Sequence, residues 1–132
     1  MQPNTSPAPS PDDALTSNAG DTVVYVWAFE PEEAPTFIRQ CQEWADKHGW
    51  PVCGAFIDAG RLLPLYERPE WVKVRELVAA GKIKRVVTRW TSLTSPIRDE
   101  PELEIADLAR RGVTVEYAPG VGATAAAKGV TQ

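Results

Sequence analysis

The stretch VVYVWAF, Val23 to Phe29, is the part of this 132-residue chain that decides the fold. Its residues are apolar without a break, and most of them are β-branched or aromatic. A strand with one wet face alternates between apolar and polar residues, whereas a strand that is buried on both faces is an unbroken apolar run. The stretch therefore predicts a strand over 22–28, inside a sheet that is covered on both sides.

Helical and strand patterns alternate after this strand. Apolar residues at helical spacing predict helices over 31–48, 70–80 and 102–111, and Gly49, Gly81 and Gly112 are natural helix stops. In the third helix, Leu103, Ala106 and Ala109 should face the core. Apolar runs predict strands over 51–58, 83–90 and 113–117.

This alternation is typical of one α/β domain in three layers: a mostly parallel sheet of four or more strands with helices on both faces. The carboxyl ends of parallel strands share one edge, where ligands bind in such sheets. Phe29, Asp58 and Trp90 should lie near that edge. The lone histidine, His48, should lie at the opposite edge.

Composition sets the limits of this domain. A chain of 132 residues with 43% hydrophobic residues is enough for one globular core. Segment 1–20 is rich in Pro, Ser, Asn and Asp, so we expect a disordered arm there. Segment 119–132 is mostly Gly, Ala, Val and Thr and is expected to be a flexible tail, which leaves 21–118 as the domain.

The beginning of the chain has neither the basic start nor the apolar run of a signal peptide, and no stretch is long enough for a membrane span. Cys41 and Cys53 match no metal or redox spacing, so both are interpreted as small buried apolar residues. We therefore expect a cytoplasmic protein without a metal or cofactor.

Positive charge is concentrated in one segment. The formal net charge is −4, but 68–89 holds seven basic and two acidic residues, which gives +5 there and −9 elsewhere. Such a segment is either a set of solvated helix and strand ends or a stripe that faces phosphates. The candidate phosphate-facing residues are Arg75, Lys82, Lys84, Arg85 and Arg89.

Three stretches carry a resemblance to a known family. They are VVYVWAF (23–29), RQCQEWADKHGWPVCGAFIDAG (39–60) and ERPEWVKVRELVAAGKIKRVV (67–87). In this order and spacing they resemble the N-terminal catalytic domain of the serine recombinases (resolvases and invertases), over about residues 23 to 117. The resemblance implies a resolvase-like α/β fold. It also assigns family site positions to Tyr25, to Asp58 at the end of the second strand, and to Arg68, which in the family contacts the scissile phosphate.

The resemblance breaks down at the chemistry of the site. The family ends its first strand in Tyr-x-Arg-x-Ser, whose serine is the nucleophile, but here Trp27 and Phe29 occupy the arginine and serine positions. The family motif Asp-Arg-Leu-x-Arg after the third strand corresponds to 91–95, where Thr91, Ser92 and Ser95 replace the charged residues. Displacement at a phosphodiester needs a nucleophile and preorganised positive charge. We therefore predict no catalytic residues and no recombinase activity.

The family's dimer helix and DNA-reading domain have no counterpart in the sequence. We therefore expect a monomer or a weak homodimer, with self-association through loop leucines or an exposed sheet edge.

Aromatic and apolar residues mark a candidate binding surface in place of the lost site. Trp27, Phe29 and Trp90 are predicted to lie together at the strand ends, either as a binding pocket or as apolar filling of the old site. The loop after the second strand adds Leu62, Leu65 and Tyr66, which either fold back on the core or meet a partner. Asp58 and Arg68 are interpreted as a surface pair that orders this loop.

The leading hypothesis is a catalytically inactive recombinase-like domain that acts by binding, as a protein-interaction or regulatory module for an unknown protein partner in a bacterial cytosol. The alternative is an accessory protein of DNA recombination that docks non-specifically on nucleic acid through 68–89. An enzyme of unrelated chemistry at the strand ends is weaker, because no acid, base or metal set converges there.

Overall fold

The computed structural model describes residues Gly20 to Pro119. The predicted domain, 21–118, lies within this range. The predicted arm and tail, 1–20 and 119–132, lie outside the described residues apart from Gly20 and Pro119.

Four strands and three α-helices alternate along the described chain. They are β1 (Thr22–Ala28), α1 (Ala34–Lys47), β2 (Val52–Ala59), α2 (Pro69–Ala79), β3 (Arg85–Thr88), α3 (Glu100–Arg110) and β4 (Thr114–Tyr117). Short 3-10 turns occupy Pro31–Glu33, Leu65–Glu67 and Trp90–Leu93. The predicted order of elements is confirmed. Helix α1 begins later than predicted, because its first three predicted residues form the 3-10 turn that starts at Pro31.

The four strands form one parallel sheet in the order β2-β1-β3-β4. Strand β1 pairs with β2 on one side and β3 on the other, and residues Val23 to Val26 are fully buried. The predicted α/β class and the predicted position of this strand inside the sheet are therefore confirmed.

Each face of the sheet has its own core. Val24, Val26 and Ala28 of β1 pack with Cys41 and Ala45 of α1. On the other face, the alternate residues Val23 and Tyr25 pack with α2 and with Leu108 of α3. Successive side chains of a strand point to opposite faces of the sheet, so β1 contributes side chains to both cores.

The predicted inward face of α3 is wrong. Leu103, Ala106 and Ala109 are exposed, Leu103 by 67% of its surface, whereas Leu108 is buried. Glu100 is also buried and Glu104 lies against α2, so the inward face runs through positions four residues apart. Leu108 and the partly buried Ile105 supply the apolar part of this face, and Glu100 and Glu104 supply its polar part.

Cys41 and Cys53 are both buried, as predicted, and neither forms a disulfide within residues 20–119. Burial raises the pKa of the Cys41 thiol to about 12. A protonated, buried thiol is a poor nucleophile, so Cys41 is a packing residue.

Within residues 20–119, none of the helices combines the length and the apolar character that crossing a membrane requires.

The loop between β2 and α2 is anchored by one of its leucines. Leu65 is fully buried in the core beneath α2, whereas Leu62 and Leu63 are half-buried. We predict that Leu65→Ala lowers the free energy of unfolding by about 2–4 kcal/mol, because it removes buried methyl groups and leaves a cavity. Leu103→Ala, at an exposed position, should change it by no more than about 0.5 kcal/mol. Urea denaturation of both variants measures the difference, and equal effects would contradict the burial of Leu65.

Candidate functional site at the carboxyl edge of the sheet

Asp58, the aspartate at the family site position, caps the N-terminus of α2. It is 8% exposed at the end of β2, and its carboxylate accepts hydrogen bonds from the backbone N–H groups of Glu70 and Trp71, both at 3.0 Å. The first N–H groups of a helix lack partners inside the helix, and the positive end of the helix dipole favours an anion there. Asp58 therefore fixes α2 against the sheet.

Arg68 is the largest charged group in the core, with 1% of its surface exposed. Its Nε donates to the carbonyl oxygen of Leu63 at 2.9 Å, and Nη1 donates to that of Ser92 at 2.6 Å. Nη2 donates to the carbonyl oxygen of Thr94. One guanidinium thus ties the loop before α2 to the loop after β3.

The hydroxyl of Tyr25 connects these two charged residues. It donates to Asp58 Oδ2 at 2.8 Å and accepts from Arg68 Nη1 at 3.4 Å. Burial, followed by the nearby Asp58 carboxylate, raises the pKa of Tyr25 well above its usual range, so the phenol stays neutral and can donate. The ring packs edge-on against Trp71, with 5.0 Å between the ring centroids.

The prediction that Asp58 and Arg68 form a pair at the surface is therefore wrong. Both side chains are buried and meet through Tyr25. The sequence favoured a surface position for both residues, because charged residues are seldom fully buried unless they are paired.

The hydroxyl groups of the two serines that follow β3 both form hydrogen bonds within the protein. Ser92 is fully buried, and its hydroxyl accepts from the backbone N–H of Trp27 at 3.1 Å. The Ser95 hydroxyl donates to the Glu100 carboxylate. Thr91, the third substituted position, is half-buried at the same turn.

Glu100 is a site residue that the sequence reading missed. It is 8% exposed, and its carboxylate accepts from the backbone N–H groups of Leu65 at 2.8 Å and Tyr66 at 3.1 Å. Its signal in the sequence is weak, since an acidic residue in the first turn of a helix is usually explained by the helix dipole. The predicted start of the helix at residue 102 also placed it in the preceding loop.

The three aromatic residues at the strand ends do not share one environment. Trp27 is half-buried, with the Arg68 guanidinium 5.5 Å from its ring centroid. Phe29 and Trp90 are exposed by 61% and 70%. The interpretation that all three fill the old site as core is therefore wrong for Phe29 and Trp90, which lie just beyond the ends of β1 and β3.

The loop residues of the candidate surface also differ in their exposure to solvent. Leu65 belongs to the core, so its inclusion in a binding surface is wrong, whereas Tyr66 is 63% exposed. Tyr66 borders a shallow groove of about 350 Å³ between α2 and α3, which Trp71, Arg75 and Glu104 also line.

The predicted phosphate-facing residues do not form one stripe. Arg75 is held in ion pairs with Glu104 and Asp107 of α3. Lys82, Lys84 and Arg85 precede or begin β3 and lie at the amino edge of the sheet. Arg89 follows β3 at the carboxyl edge, with its guanidinium 3.9 Å from the Phe37 ring centroid. Parallel topology separates these residues, because the two ends of β3 lie at opposite edges.

His48 lies at the amino edge, away from this site, as its place after α1 predicts. Its ring stacks on Trp50 with 4.5 Å between centroids, and its Nδ1 lies 2.9 Å from the Trp44 carbonyl oxygen. Within residues 20–119, no cluster of three or more potential metal-ligating side chains occurs. The carboxyl edge thus brings together a buried structural network and two exposed aromatic rings.

Several solved structures are similar to this fold. No family model and no curated protein matches the chain. Among solved structures, the C-terminal catalytic domain of ISC1926 TnpA, an IS607-like serine recombinase, is similar with a TM-score of 0.64 and 17% identity. The similarity covers 73% of this chain and 68% of that one.

Two further structures are similar over a comparable range. The N-terminal catalytic domain of TP901-1 integrase has a TM-score of 0.62 and 18% identity, covering 73% of this chain and 75% of that one. A serine recombinase from Sulfolobus solfataricus has a TM-score of 0.55 and 12% identity, covering 84% and 78%. The chain therefore has the fold of serine recombinase catalytic domains, which confirms the predicted fold.

The Arg68 network makes a direct prediction about stability. Arg68→Lys keeps the charge but cannot reach three carbonyl oxygens with one planar group, so buried acceptors lose their partners. We expect the free energy of unfolding to fall by about 2 kcal/mol or more. Arg110→Lys is the matched control, because Arg110 is 70% exposed in its ion pair with Asp107 and should change stability by no more than about 0.5 kcal/mol. Equal losses in thermal or urea denaturation would contradict the network.

Proposed function

We propose that this protein is a catalytically inactive member of the recombinase-fold proteins that acts by binding, as an interaction or regulatory module. The observation that carries the proposal is Phe29. It stands where the resemblance places the nucleophilic serine, and its side chain is exposed at the end of β1. A benzyl side chain has no lone pair with which to attack phosphorus.

The state of Arg68 supports the same conclusion. The resemblance gives this residue a phosphate contact, but here its guanidinium donors point to carbonyl oxygens and to Tyr25. A phosphate would have to displace the buried hydrogen bonds to Ser92 and Tyr25 and the partly buried ones to Leu63 and Thr94, and a buried acceptor that loses its partner costs free energy. Arg68 therefore acts as a structural clamp in this proposal.

Among residues 20–119, neither serine near the strand ends is placed to substitute for the lost nucleophile. The Ser92 hydroxyl is buried and accepts a backbone hydrogen bond, and the Ser95 hydroxyl is bound to Glu100. Neither contacts a histidine, because His48 lies at the other edge of the sheet. An activated serine needs an adjacent base that is available to take its proton. The Ser92 hydroxyl instead accepts a backbone hydrogen bond, and the Glu100 carboxylate beside Ser95 is already bound by the backbone N–H groups of Leu65 and Tyr66.

Binding to a protein partner is favoured by the exposed aromatic rings. Phe29 and Trp90 follow adjacent parallel strands, and each exposes more than half of its surface. Aromatic residues are enriched at the centres of protein interfaces, where they bury large apolar area. The dispersal of Arg75, Lys84 and Arg89 over separate parts of the surface gives less support to docking on nucleic acid.

The proposal predicts the absence of a covalent protein–DNA intermediate. Incubation of the protein with supercoiled DNA, followed by denaturing electrophoresis, should give no DNA-linked protein and no strand cleavage, with an active serine recombinase as positive control. Phe29→Ser restores a hydroxyl at an exposed position, yet it should also form no adduct, because the positive charge that stabilises the transition state is still missing.

Cleavage or an adduct with the unchanged protein would overturn the proposal. An adduct with Phe29→Ser alone would show that the surroundings remain competent and that only the nucleophile was lost.

A further inference from the structure

The two edges of the sheet differ in how they are protected. Strand β4 is short, four residues, and carries Glu116. Strand β2 has eight residues, and none of the strands in residues 20–119 pairs with its outer side. An edge strand offers unpaired N–H and C=O groups, and proteins usually block it with lysine, proline or short length. Strand β2 contains neither lysine nor proline.

The residues of β2 that point to the α1 face of the sheet form a short apolar row. After an irregularity in the β1–β2 register near its start, β2 runs regularly from Gly54 to Ala59. Asp58 and Phe56 point into the core beneath α2, so Ala55, Ile57 and Ala59 face the α1 side. Ala59 is exposed and Ile57 is 41% exposed, while Ala55 is half-buried.

This row is symmetric about Ile57, since an alanine lies two residues away in each direction. In an antiparallel pair with a two-fold axis at Ile57, Ile57 of one copy lies opposite Ile57 of the other, and Ala55 lies opposite Ala59. The only charge in the strand, Asp58, is buried within its own domain, so the pairing brings no like charges together.

The same register brings opposite charges together at both ends. The carboxyl end of β2 in the second copy then lies beside the beginning of β2 in the first, where a groove of about 270 Å³ is lined by Asp46, Gln42 and Val52 among others. The strand ends at Ala59, and the chain turns at Gly60, where φ is +101°. Arg61, which is exposed, follows β2 closely. In this pairing Arg61 of the second copy lies at the same end as Asp46 of the first, so opposite charges share each end, and the two-fold axis repeats the arrangement.

We propose that β2 is a self-association edge: two copies of this chain pair antiparallel through β2 about Ile57 to form a continuous eight-stranded sheet. A two-fold interface uses the same patch on both copies, which the symmetric apolar row and the Arg61–Asp46 pairing provide. The inference is independent of the function proposed above. The sequence of residues 1–11 is a poorer occupant of the edge, because its four prolines cannot donate to a ladder.

Cysteine cross-linking tests the register. Residues directly opposite in an antiparallel pair have Cβ atoms about 4.5–5.5 Å apart, close to the separation that a disulfide needs. Oxidised Ile57→Cys should therefore form a covalent dimer on a non-reducing gel. Leu103→Cys, exposed on α3, is the matched control and should remain monomeric at the same concentration. The native thiols are buried and do not compete.

Sedimentation over a range of concentrations tests the interface without cross-linking. Ile57→Lys places two ammonium groups opposite each other and should raise the dimer Kd roughly tenfold or more, whereas Leu103→Lys should leave it unchanged. Arg61→Asp should weaken the dimer, and the exchange of both charges in Arg61→Asp with Asp46→Arg should restore it. A monomer at every concentration, or equal cross-linking of Ile57→Cys and Leu103→Cys, would overturn the proposal.

Discussion

The guanidinium of Arg68 joins the parts of the chain that the carboxyl edge needs to hold together. It binds the carbonyl oxygens of Leu63, Ser92 and Thr94, and it reaches Tyr25 in the central strand. Removing a charge from water costs several kcal/mol, and the cost is offset only when every donor finds an acceptor. The two loops must therefore hold their carbonyl groups in place for Arg68, and Arg68 in turn fixes the loops.

The residues that carry the family resemblance thus have a structural use that does not require catalysis. Tyr25 links Asp58 to Arg68, and Asp58 closes the beginning of α2. All three residues lie beside the strand ends at which Phe29 and Trp90 expose their rings. The network therefore accounts for the order of this edge in a protein for which we propose binding alone.

The sequence predicted the fold well because its signals are local. The unbroken run at Val23 to Phe29 required a strand covered on both sides, and glycines marked the helix ends. It predicted the site less well, since burial depends on contacts between distant segments. Glu100 was missed because it bonds to backbone groups 34 and 35 residues away. Leu103 was placed inward, but Leu108 and Ile105 are the apolar residues of α3 that face the core. For Phe29 and Trp90 the sequence left open whether they form a pocket or fill the site, because their exposure depends on how the chain leaves the sheet.

The most direct test of the account is the Nε–H signal of Arg68 in NMR spectra of the ¹⁵N-labelled protein, assigned by its loss in Arg68→Lys. A buried, hydrogen-bonded guanidinium should give a resolved signal that exchanges slowly with water and does not shift when duplex DNA is added. A signal that exchanges as fast as that of the exposed Arg110, or one that shifts on binding DNA, would show that Arg68 is available to phosphate and would contradict its role as a structural clamp.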